Sequence, residues 1–232
     1  MAVSDKRKNQ VRENREIEIT ADEVSLGASL YVPEGAPGIV LFINGNGGSR
    51  NNPRDLHIAK ELQSAGLGTL LFDMLTAEEA SVDIHTRHMR FDISLLAQRA
   101  IAVVDWISEQ SFARNLKLGF FVGGAGAAAA IIAAVERPDV VGAIVAHSGR
   151  PDLAANALPR LQKPTLLIVG SLDYPLIELN EQALANMNPR PMKEMQIIPG
   201  ATQLLEEQGA LEQVAKLAEE WFLKFLPPSW QE

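Results

Sequence analysis

Cysteine is absent from all 232 residues. That excludes disulfides, thiolate-held metals and a cysteine nucleophile together. Basic runs are almost as scarce. The chain carries 21 Lys and Arg against 29 Asp and Glu, a net charge of −8, and no basic stripe is present to neutralise a phosphate polymer. Its one basic cluster, Lys6-Arg7-Lys8, is soon balanced by Glu13, Glu16 and Glu18. Nucleic acid is therefore not an expected partner. No apolar run reaches 18 residues, and the first 14 residues lack the apolar core of a signal peptide. The expectation is no membrane partner and a cytoplasmic location.

What is present is ordinary for a soluble domain: 47 % apolar and 22 % charged residues. Hydrophobic periodicity gives a regular alternation. Strands are expected at 16–20, 24–32, 38–43, 67–75, 116–121, 140–146, 165–170 and 194–198. Helices are expected at 53–65, 93–107, 126–136, 179–187 and 209–226. The run 38–43 is apolar on both faces, as a central parallel strand requires. Pro53 suits a first helical turn and Gly66 a helix end. Trp221, Phe222 and Phe225 read as core of the last helix. Two strands paired early, then β-α alternation, predict an α/β fold. Its sheet is doubly wound, mostly parallel and eight-stranded, with helices on both faces. No repeat or long linker divides the chain. The expected organisation is a polar segment at 1–15, a single domain at 16–226 and a tail at 227–232, where Trp230 is suited to anchoring the end of the chain on its own domain or a neighbour.

Such sheets carry their sites beyond the carboxyl ends of the strands. Those ends read Asn44-Gly45-Asn46-Gly47-Gly48, Gly123-Gly124-Ala125-Gly126, His147-Ser148-Gly149-Arg150, Gly170-Ser171-Leu172-Asp173 and Pro199-Gly200-Ala201-Thr202-Gln203. This set of loops resembles the α/β-hydrolase superfamily and, more closely, its dienelactone-hydrolase-like branch. The stretches 86–92 (TRHMRFD), 149–152 (GRPD) and 199–202 (PGAT) look like that branch's wording, and the resemblance covers about 24–226. It implies an oxyanion loop after the third strand and a G-x-S-x-G nucleophile elbow after the fifth. An acid follows the seventh strand and a histidine base the eighth. On that pattern the nucleophile position is Gly124, the acid Asp173 and the base Gln203, while Asn44 stands where the oxyanion loop usually has histidine.

The resemblance thus implies a degenerate catalytic triad. Glycine accepts the strained turn of an elbow freely but brings no attacking atom, and a carboxamide takes up no proton at neutral pH. Losing nucleophile or base from such a triad lowers turnover roughly a millionfold. The expected function is a pseudoenzyme that binds a small molecule in the former active-site pocket, or a protein partner, a second copy of the chain included. The expected ligand site is Asn44, Gly45, Asn46, Gly124, Ala125, His147, Ser148, Asp173 and Gln203, with no metal and no cofactor. Asn44, Asn46 and Gln203 supply donors and acceptors suited to a carbonyl, hydroxyl or carboxamide compound.

Other readings compete. An active esterase or dienelactone-type hydrolase could use a non-standard site around Asp173, His147 and Ser148, the right residue types for nucleophilic catalysis. Neighbours on a strand point to opposite faces, however. A purely structural subunit would have its old pocket filled. Gly124-Ala125-Gly126-Ala127-Ala128-Ala129 fits a dinucleotide fingerprint, but the acidic residue after the next strand is replaced by His147-Ser148; close helix packing explains the small residues equally well. Asp83, His85, His88 and Asp92 could suggest metal ligands, yet the arginines among them favour a solvated or pocket-rim segment. His57 is expected at the surface.

Overall fold

The computed structural model describes residues 14–45 and 49–226. Asn46, the basic cluster at 6–8 and Trp230 lie outside the described residues. Strand β1 (Arg15–Ala21) runs antiparallel to β2 (Val24–Tyr31), and β2 antiparallel to β4 (Gly68–Phe72). The remaining strands are parallel: β3 (Gly38–Asn44), β5 (Lys117–Gly124), β6 (Val141–Gly149), β7 (Thr165–Gly170) and β8 (Lys193–Ile198). Their order across the sheet is β1-β2-β4-β3-β5-β6-β7-β8. This is the eight-stranded, mostly parallel sheet that the alternation predicts.

The central strands are apolar on both faces because each face is covered by helices. Val40, Phe42 and Phe121 pack with Ile58, Leu62, Val214 and Phe222 of α1 (Pro53–Ser64) and α6 (Ala210–Phe225). Ile39, Leu41, Phe120 and Val122 point the other way. They pack with α3 (Ile93–Glu109), α4 (Gly126–Glu136) and the end of α5 (Tyr174–Asn186). Helix α4 carries Ala127, Ala128, Ala129 and Ala130, all fully buried. Their small side chains let the helix lie close to the sheet.

Two stretches depart from the sequence expectation. Helix α2 (Ala77–Thr86) was not expected, although Thr76 and Glu79 form a reciprocal capping box at its start. Within the charged run that follows, Asp83 is buried, receives Arg90 Nε at 2.5 Å and accepts the Met89 N–H at 2.8 Å. Asp92 accepts from the Leu95 N–H at 3.0 Å and caps α3. Both carboxylates thus serve local structure. Helix α5 begins at Tyr174, five residues before the expected start, because Asp173 caps it and Pro175 sits in its first turn. His57, expected at the surface, is half-buried on α1 with Nε2 enclosed.

The end of β3 and the start of α4 meet backbone to backbone. A Cβ on Gly126 would collide with the Ile43 carbonyl oxygen and lie 2.8 Å from the Gly45 nitrogen. A Cβ on Gly45 would strike the Gly126 nitrogen and lie 2.7 Å from the Ala125 carbonyl carbon. This approach explains the small residues of the dinucleotide-like fingerprint by packing. Gly126→Ala should therefore destabilise by about 3 kcal/mol or more, lowering Tm by roughly 6–12 °C. Ala127→Gly, within the same helix, should cost only about 1 kcal/mol. Thermal unfolding of the two variants side by side checks this; equal melting temperatures would contradict it.

Candidate functional site

Strand β5 ends at Gly124, whose φ is +53°, and Ala125 already has helical dihedrals. The chain thus turns sharply from strand to helix, with Gly124, itself buried, at the crest of the turn. The Gly124 carbonyl accepts the Arg150 N–H at 2.9 Å, and the Gly123 carbonyl accepts the Gly45 N–H at 3.3 Å. Asn44 and His147 lie in register with Gly123, one on each neighbouring strand. The Cβ position of Gly123 is 3.0 Å from both Asn44 Oδ1 and His147 Nε2. Both side chains therefore lean over the same glycine.

His147 and Ser148 do not act together. Ser148 is the extra residue of a bulge: Gly123 pairs with His147, and Gly124 with Gly149. It sits at φ +44°, and its Oγ donates to the Gln203 carbonyl at 2.7 Å. The His147 ring stacks on Phe121, with centroids 4.7 Å apart and planes at 20°. Its Nε2 is enclosed and has no hydrogen-bond partner among the described residues. The Ser–His hydrogen bond that a relocated triad needs is not formed.

The expected site residues line two cavities rather than one. The larger, about 410 Å³, is bordered by Asn44, Arg54, Asp55, Phe121, His147 and Ser148, among others. The smaller, about 280 Å³, is bordered by Ala125, Arg150, Leu153, Asp173 and Leu176. Gly124, Gln203 and Phe91 border both. Asp173 is thus grouped with the smaller space, where its Oδ1 also accepts the Leu176 N–H at 3.3 Å. Gly45 packs against the β5–α4 turn.

Sequence reasoning missed Asp55 as a site residue. It lies in the first turn of α1, only 4 % exposed, and its Oδ2 accepts a hydrogen bond from Asn44 Nδ2. The signal was present: Asp55 falls three, four and seven residues before Ile58, Ala59 and Leu62, on the buried stripe of the helix. Burial pushes its carboxyl up to about 6, although Arg54 and the Asn44 donor pull the other way. Burial also pushes His147 down to about 4, and the Arg54 charge adds to the effect. Near neutral pH the imidazole is uncharged.

No protein-family model matches the chain. A solved dienelactone hydrolase from Anabaena variabilis is 48 % identical, with a TM-score of 0.89 over 92 % of this chain and 98 % of that one. The chain belongs to the dienelactone-hydrolase family of α/β hydrolases. Two Mycobacterium tuberculosis proteins named as candidate phosphoribosyl transferases are 44 % identical over 214 residues, covering 92 % of this chain. The match takes in 47 % of each, so the chain spans about half the length of these relatives. Est1E from Butyrivibrio proteoclasticus, solved with ferulic acid, shares the fold at a TM-score of 0.74 and 17 % identity, over 90 % of this chain and 99 % of that one.

In this dienelactone-hydrolase-family chain the two shifted groups act oppositely on stability. Asp55 keeps its proton to about pH 6 when folded, against an ordinary 3.8. The native state therefore binds more protons there, and stability falls as pH rises from 3.8 to 6. His147 titrates near 4 when folded against 6.5 ordinarily, so its contribution rises over 4 to 6.5. Between pH 4 and 6 the two slopes offset each other. Asp55→Asn removes the first: the variant should gain stability steadily from pH 4 to 6.5. At neutral pH it should exceed the native chain by up to about 3 kcal/mol. Urea midpoints across that range measure this, and a flat profile in the variant would contradict it.

Proposed function

We propose that this chain is a hydrolase-fold protein that binds a small molecule beside Gly124 without transferring its acyl group. Gly124 carries this reading. At the strand-to-helix turn where the family resemblance expects the nucleophile, a glycine at φ +53° offers no attacking atom. Gln203, at the base position, is exposed and its backbone carbonyl is engaged by Ser148; its carboxamide has no basicity to offer. The 410 Å³ cavity supports binding, since its size is that of a small-ligand pocket.

The relatives favour a second, compatible element of the reading. The Mycobacterium tuberculosis proteins are about twice as long as the region they share with this chain and carry a phosphoribosyl transferase name. We infer that the hydrolase-fold portion serves beside a phosphoribosyl-transferring portion or partner. Ribosyl compounds are therefore among the first ligands to test.

Activated esters and lactones, given to the native chain and to Gly124→Ser/Gln203→His, test the main reading. The native chain should stay at background while the double variant turns over. Serine at a left-handed position costs about 1–2 kcal/mol, so the variant should melt a few degrees lower. Native turnover that His147→Ala abolishes would overturn the proposal.

A further inference from the structure

The larger cavity holds more hydrogen-bonding capacity than its walls use. Asp55 borders it while almost fully buried; its carboxylate can accept several hydrogen bonds, and the Asn44 amide supplies one. His147 Nε2, enclosed at the same cavity, has no partner among the described residues. Asn44 Oδ1 and His147 Nε2 each lie 3.0 Å from the Cβ position of Gly123, so the two atoms are at most twice that apart. Buried polar atoms are normally satisfied, and both of these side chains border a cavity of about 410 Å³ that can hold a small molecule.

Charge and chemistry narrow that occupant. Near Asp55 stands the Arg54 guanidinium, itself donating to the Leu204 carbonyl at 2.7 Å and 3.8 Å from Glu206. Arg87 and Arg90 border the cavity too, Arg90 paired with the buried Asp83. A ligand seated between Asp55 and Arg54 would meet like charge at one of them if it were ionic; an uncharged one meets neither penalty. An amide N–H satisfies the His147 nitrogen in one tautomer only, whereas a hydroxyl donates or accepts and fits both. Phe91, which borders the cavity and is 59 % exposed, offers a flat apolar face for ring carbons. We propose that this cavity is a polyol site: one hydroxyl of a vicinal pair donates to Asp55, its neighbour engages His147 Nε2, and the Asn44 amide is a third partner. This assignment rests on the reading that the chain binds a small molecule unreacted.

Amide NMR titrations test it, with 1,4-anhydroerythritol and D-ribose as cyclic diols, benzamide as an N–H donor and benzoate as an anion. The diols should bind saturably, and Asp55→Asn should weaken them at least tenfold. His147→Phe, which keeps the stack on Phe121, should do likewise and serves if the first variant does not fold. Diol affinities unchanged in both variants would overturn the assignment. Benzamide or benzoate saturating the cavity where the diols do not would also overturn it, leaving small-molecule binding intact. No saturable binding of any of the four would overturn both readings.

Discussion

The site depends on one backbone contact. At the end of β3 the Ile43 carbonyl and the Gly45 nitrogen lie against the first residues of α4, with no room for a Cβ on Gly45 or Gly126. That approach fixes the height of the β5–α4 turn over the sheet and holds Gly124 at its crest. It also sets Asn44 and His147 over Gly123 from the two flanking strands. A methyl group at either glycine would push the turn away and open the floor of both cavities. Interiors packed at crystal density transmit such shifts instead of absorbing them, so the geometry of the mouth follows from two missing side chains beneath it.

Much of this was legible in the sequence. The apolar runs of β3, β5 and β7 signal central strands, and the change from paired strands to β-α alternation predicts the sheet. The glycine-rich stretch after β5 marks Gly124 as the point of a strand-to-helix turn, which is where it lies. What was not legible has physical reasons. Helix α2 is short and has one buried residue, Asp83, so its apolar periodicity is weak; only its capping box marks it, and the arginines beyond it suggest solvent. The start of α5 was missed because Asp173 was assigned a chemical role, while an aspartate two residues before a proline is also a helix cap. The division into two cavities depends on where Gln203, in the loop after β8, and Phe91, just ahead of α3, come to border both, which no pattern along the chain encodes.

Asp55 illustrates how burial outweighs pairing. Arg54 and Asn44 both favour its ionised form, yet its carboxyl is held near 6 because desolvation is the larger effect. The same dry surroundings keep His147 neutral. With the carboxyl held near 6 and the imidazole near 4, both groups are mostly uncharged around pH 5; the pair is net positive below 4 and net negative above 6. Near neutral pH an ionised carboxylate therefore stands beside an uncharged imidazole, with Arg54 at the same cavity.

Those buried polar groups bear on what a hydrolase scaffold can hold. An active serine at the turn needs a strained backbone, a base of suitable pKa and a charge-accepting pocket, three features that each lower stability or solvation. With glycine at the crest the turn carries no side-chain strain, and on the proposed reading Gln203 brings no imidazole beside it. The Ser148 hydroxyl ties β6 to the Gln203 loop and so braces the mouth of the cavity. Shape, dryness and hydrogen-bonding capacity are the properties a binding site shares with an active site. Here they surround a turn whose crest is a glycine.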